Sequence, residues 1–108
     1  MLKIRWWQWL LFWRWRMVGI VEDADLVPDK LPPRGAVLVG SAARPKWVVF
    51  DCACGQGHRI MLNLDEGRYP NWRIVETSPL TISPSIDYAG RRNCHYFIRG
   101  GRVQWARG

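Results

Sequence analysis

The sequence predicts a mostly β, small single domain, centred on zinc and built from β-hairpins, with few or no helices in its body. Three observations carry that reading. Short runs rich in Val, Ile, Trp and Phe recur between glycine and proline turns, and no helical period is sustained in the body. The 108 residues leave room for one core, and a hydrophobic share of 48% is enough to fill it. All three cysteines and both histidines fall in two clusters, Cys52 to His58 and Cys94-His95.

Residues 1–17 stand apart as a Trp/Arg-rich extension, and residues 18–108 form the expected zinc-binding β domain. Trp6, Trp7, Trp9, Trp13 and Trp15 crowd the extension, fitting neither a helical nor a strand period alone. Trp and Arg together suit an interfacial membrane segment or a partner-docking anchor. The apolar centre, Trp6 to Trp15, is interrupted by Arg14, lacks a small-residue cleavage site and is shorter than the ~20 residues of a spanning helix. An odd number of cysteines points the same way, towards a reducing compartment, so the expected location is the cytoplasm.

Val18 to Val21 reads as a short strand, followed by the acidic Glu22-Asp23-Ala24-Asp25. Pro28, Pro32, Pro33 and Gly35 mark turns. Ala36 to Gly40 is a second strand, pairing Val37–Val39 with Val48–Phe50 in a hairpin. Trp47 to Phe50 is the central strand and Arg59 to Leu64 returns from it. Gly55 and Gly57 permit the tight turn between them. Trp72 to Val75 is another short strand. Thr77 to Ile86 alternates polar and apolar residues, but Pro79 and Pro84 bar it from a central position. Asp87 to Asn93 is a polar loop. Tyr96–Ile98 and Val103–Trp105 form a hairpin around Arg99-Gly100-Gly101-Arg102.

The chemistry centres on the two clusters. Zinc takes four tetrahedral ligands, by preference thiolates and imidazoles. Cys52 and Cys54 are two apart and point to one side of an extended chain. Cys94 and His95 are neighbours, so both reach one ion only if a turn or bulge precedes their strand. Two ligand sets remain open: Cys52, Cys54, Cys94 and His95, or Cys52, Cys54, His58 and Cys94 with His95 pointing away. Whichever histidine does not bind the ion is free to act as a base. Ser85 is placed to donate to an oxyanion. Glu76, Asp51 and Asp87 are further acids that could serve a metal-bound water.

Sixteen basic against nine acidic side chains give a formal charge of +7, which suits an acidic partner. No Lys/Arg run accompanies it, so nucleic acid is the last of the readings considered.

Asp51 to Leu64, Trp72-Arg73, Leu80-x-x-Ser83-Pro84-Ser85-Ile86, Cys94 to Ile98 and Gly101-Arg102-Val103-x-Trp105 together carry a family resemblance. From about Val18 onwards the chain resembles the bacterial family called domain of unknown function 6527. That family is associated with bacterial ubiquitin-like conjugation pathways, beside E1-like and E2-like components. Gln56 stands where many relatives carry a further cysteine, and Cys94 and His95 are closer together than in several of them. The resemblance implies Cys52, Cys54, Cys94 and His95 as metal ligands of a zinc-dependent peptidase, with His58 and Ser85 left for catalysis. Its implied role is to process or remove a ubiquitin-like modifier, with the modifier and its E1-like or E2-like enzymes as the implied partners. The alternatives are a non-enzymatic zinc module that binds those proteins, and a nucleic-acid-binding protein.

Overall fold

A computed structural model describes residues 4–10, 13–89 and 93–106. Among these residues are eight strands in two four-stranded sheets. The first sheet is built from β1 (Arg16–Val21), β2 (Gly35–Gly40), β3 (Pro45–Asp51) and β4 (Arg59–Asn63), side by side in that order. β1 runs parallel to β2 and the other pairs are antiparallel. The second sheet is a meander of β5 (Arg73–Thr77), β6 (Leu80–Ala89), β7 (Asn93–Arg99) and β8 (Arg102–Trp105). Helical structure among the described residues is confined to short 3₁₀ turns at Trp6–Trp9 and Ala24–Leu26.

Period-two alternation explains how the sheets meet. Ala36, Leu38, Val48, Phe50, Ile60 and Leu62 face the second sheet and meet Leu80, Ile82, Ile86, Tyr96 and Ile98. On its other face, Val37, Val39 and Val49 pack a smaller core against Val21 and Leu31, with Ile4 alongside. Trp15 belongs to the main core, its ring edge-on to Phe50 at 5.3 Å. The expected domain boundary at Val18 thus falls inside β1, and the chain enters the core before it.

A ring of backbone hydrogen bonds ties the sheets together: Trp15 N to Gly101 O, Gly101 N to Leu80 O, and Leu80 N to Trp15 O, at 2.8–2.9 Å. The crossover from β1 to β2 is held by arginines. Arg16, buried, donates to the carbonyls of Arg14 and Pro33, and burial lowers its pKa. Arg59 pairs with Asp51 and donates to the carbonyls of Pro28 and Asp29.

The expected strands are present, with two corrections. β6, which contains most of Thr77–Ile86, lies between β5 and β7 and is therefore central. Its prolines are accommodated: Pro79 precedes the strand, and Pro84 sits where the ladder with β7 is interrupted. Ile82 pairs with Ile98 and Ile86 with Tyr96, so Ser83, Pro84 and Ser85 all stand opposite Phe97. The missing proline N–H costs no ladder bond at such a bulge. The Asp87–Asn93 loop is also shorter than expected, since β6 reaches Ala89 and β7 starts at Asn93; residues 90–92 lie outside the described residues.

Gly100 and Gly101 form the two-residue turn between β7 and β8, with φ of 56° and 78°. Either glycine replaced by alanine incurs the left-handed penalty of about 1–2 kcal/mol. A Cβ at Gly100 meets open space, whereas one at Gly101 lies 3.0 Å from the Trp15 carbonyl oxygen and from Pro79. Urea unfolding is expected to show Gly101→Ala losing clearly more stability than Gly100→Ala. Equal losses would mean the sheets are not closely joined at this point.

Candidate functional site

The β3–β4 connection folds into a compact knuckle. Cys52 N donates to the His58 carbonyl at 2.9 Å and Gly55 N to the Cys52 carbonyl at 3.2 Å. Gly55 and Gly57 adopt φ of 74° and 80°, the left-handed values for which the sequence supplies glycine. The knuckle thereby returns His58 to the thiols of Cys52 and Cys54, and β7 adds Cys94. The ligand atoms of Cys52, Cys54, His58 and Cys94 all lie within 4.8 Å of one another. Cys54 Sγ is 3.6 Å from His58 Nε2. Tetrahedral zinc with its usual bond lengths sets ligand atoms roughly 3.6–3.8 Å apart. The four side chains could therefore hold a metal ion with little rearrangement.

The surroundings suit thiolates bound to a cation. The Gln56 backbone N–H donates to Cys54 Sγ at 3.4 Å. The Tyr96 hydroxyl lies 3.4 Å from Cys52 Sγ and accepts from Ala53 N at 3.3 Å. Outer partners of this kind fix the orientation of ligands. Burial, the neighbouring thiols of Cys54 and Cys52, and their charge push the Cys94 thiol up to about 12. Burial, followed by the Cys52 contact, likewise raises Tyr96. A cation inverts that balance by stabilising thiolates.

His95 is placed elsewhere. The alternation along β7 sends Cys94, Tyr96 and Ile98 inward and His95 and Phe97 to the outer face. Of the two ligand sets read from the sequence, His58 completes the one the structure brings together, and His95 is not among its atoms. His95 Nε2 instead lies 2.9 Å from Ser85 Oγ. Ser85 comes from the β6 bulge, and its carbonyl accepts from Trp72 Nε1 at 3.0 Å. Asp87 stands directly opposite His95 in the ladder. Ile86 between them points into the core, so Ser85, Asp87 and His95 share the outer face.

The molecule thus carries a metal-type cluster on the inner side of β7 and a serine–histidine pair on the outer side. Residue types and spacing exposed the cluster. The pairing of Ser85 with His95 depends on a bulge that strand periodicity alone does not register. The sequence carries no signal for the role of Tyr96 beside the thiols, because a tyrosine on an inward strand position ordinarily reads as core.

A family model described as bacterial ubiquitination-like system serine protease (BubE) matches residues 23–106. No curated protein and no solved structure gives a significant match. Among the described residues, no helix is long and apolar enough to cross a membrane.

Cys52→Ser, Cys54→Ser, Cys94→Ser and His58→Ala are each expected to lower bound metal measured by elemental analysis, and chelation to lower thermal stability. His95→Ala is expected to leave metal content unchanged. Because thiols must lose protons to bind, affinity for the metal falls as pH falls. Stoichiometric metal retained by the Cys94→Ser variant would remove the cluster as its site.

Proposed function

The chain belongs to the family of bacterial ubiquitination-like system serine proteases, and from that premise we propose that it processes or removes a ubiquitin-like modifier with Ser85 as nucleophile and His95 as base. The observation that carries this reading is the 2.9 Å contact between Ser85 Oγ and His95 Nε2. A serine hydroxyl is a weak nucleophile until an adjacent base accepts its proton. Here the base is already within hydrogen-bond reach and the pair sits on an outer sheet face that a protein substrate can approach.

Ser85 Oγ attacks the carbonyl carbon of the scissile bond while its proton passes to His95 Nε2. The tetrahedral intermediate collapses as His95 returns that proton to the leaving amine, which leaves an acyl-serine. Water, deprotonated by the same nitrogen, then releases the acid and regenerates the hydroxyl. Asp87, paired with His95 across the ladder, brings a negative charge to the same face and favours the imidazolium formed in each step. Asp87 acts here as a positioning residue and touches no reacting atom.

Zinc is the ion the donor set favours, because three thiols and one imidazole are a common structural set for it. With four protein ligands the site is closed, whereas activation of water needs an open position. Bound there, the ion would cross-link the knuckle to β7 through Cys94, on the strand that also carries His95.

Ser85→Ala and His95→Ala are each expected to reduce cleavage of a modifier fusion on the order of 10⁴-fold or more, with folding and metal content intact. Asp87→Asn lowers kcat more than it raises KM. Cleavage that survives in Ser85→Ala but requires the metal would instead identify a zinc peptidase. Absence of any wild-type cleavage, with tight binding to the modifier, would identify a binding module.

A further inference from the structure

A groove near Ser85 is a further feature of the molecule, and neither the metal cluster nor the Ser85–His95 pair accounts for it. It has a volume of about 690 Å³ and opens between the two sheets, where β1 and β5 leave the sandwich uncovered. Its floor is apolar, formed by Met17, Leu38, Leu64 and Ile74. All four belong to the main core or pack against it, so the groove leads into the interior of the fold. Arg73 and Thr77 stand on its rim.

Two observations connect the groove to the chemistry. Pro84, the residue immediately before Ser85, forms part of its wall. Trp72 lines it as well and holds the Ser85 carbonyl through its indole N–H. The neighbouring strand β5 is bonded to β6 on one side only, which leaves a row of backbone donors and acceptors along the groove. Its side chains Arg73, Val75, Glu76 and Thr77 are exposed. A free edge beside an apolar hole is the arrangement that accepts an extended peptide: main-chain bonds hold the strand and the hole reads one side chain. A cleft of this size and lining buries a large aliphatic or aromatic group well.

We propose that this groove is the specificity pocket of the site, and that its occupant is an extended segment of the substrate protein lying along β5 with a large apolar side chain in the pocket. The inference rests on Ser85 as nucleophile and adds what that reading lacks, the chemical class of residue beside the scissile bond. A folded modifier without a mobile, extended segment is then not cleaved. An extended segment whose residues near the bond are all small or charged binds weakly.

The test uses the full chain and a fluorogenic peptide series in which one position at a time is changed among Leu, Phe, Gly, Asp and Lys. One position is expected to prefer Leu or Phe over Gly by at least tenfold in kcat/KM, and the difference resides in KM. Ile74→Arg is expected to reverse the ranking at that position in favour of Asp. Thr77→Arg, on the exposed rim, makes a milder change in the same direction and guards against a misfolded Ile74 variant. A fluorophosphonate probe, too small to need the groove, reports separately on whether Ser85 is an activated nucleophile. Labelled Ser85 together with an unchanged ranking in both variants would overturn the pocket and leave the serine peptidase standing. No labelling and no cleavage in the wild-type protein would overturn both.

Discussion

The constraint on which the structure depends is the two-residue period of β7. One strand faces two ways: Cys94 and Tyr96 point inward to the knuckle, and His95 and Phe97 point outward towards Ser83–Ser85. A slip of one residue would exchange the faces, setting His95 in the core and Cys94 in solvent. The register is therefore fixed from both sides. On one side the thiols of Cys52, Cys54 and Cys94 converge with His58; on the other, Ser85 meets His95. Tyr96 strengthens the inward face, since it is fully buried and reaches both Cys52 and the Ala53 backbone.

The bulge in β6 is the second requirement. In an uninterrupted ladder one residue of β6 would face Phe97, and the alternation would carry on without displacement. Three residues there let the strand change phase locally, with Pro84 at the one place where a missing N–H is harmless. Trp72 anchors the bulge through the Ser85 carbonyl. Phe97 in turn lies under the Arg99 guanidinium, 4.1 Å from the ring centre, and beside the His95 ring at 6.2 Å. Along the outer face of β7, His95, Phe97 and Arg99 thus form a packed row.

Much of this was legible in the residues. Gly55 and Gly57 announce the knuckle, Gly100-Gly101 the last hairpin, and the Val/Leu/Phe runs at Val37–Val39 and Val48–Phe50 the first sheet. The family resemblance, read from ordered motifs, agrees with the pathway of the matching family. Two kinds of information were missing. Propensity demoted β6 to an edge because prolines usually break ladders, and the bulge that tolerates Pro84 is a property of the pair of strands. Spacing alone could not choose between His58 and His95. His58 is carried back by the β3–β4 turn, at a sequence distance where no strand parity applies. His95 is excluded from the cluster by parity with Cys94, a rule visible in the sequence but conditional on the strand starting before Cys94.

Two pairs in this protein have the form of a nucleophile beside a base, Cys54 with His58 and Ser85 with His95. A thiol is intrinsically the better nucleophile, so the comparison turns on what else each pair touches. Cys54 and His58 share their space with Cys52 and Cys94, and a cation would engage the lone pairs needed for attack and for proton transfer. Ser85 and His95 lie on the opposite face of β7, beyond the reach of that competition, and beside a groove with an apolar floor. The same strand that gives its cysteine to the cluster keeps its histidine out of it. One sheet thickness separates the two pairs, so Ser85 and His95 keep clear of the thiol-rich cluster even in a domain this small.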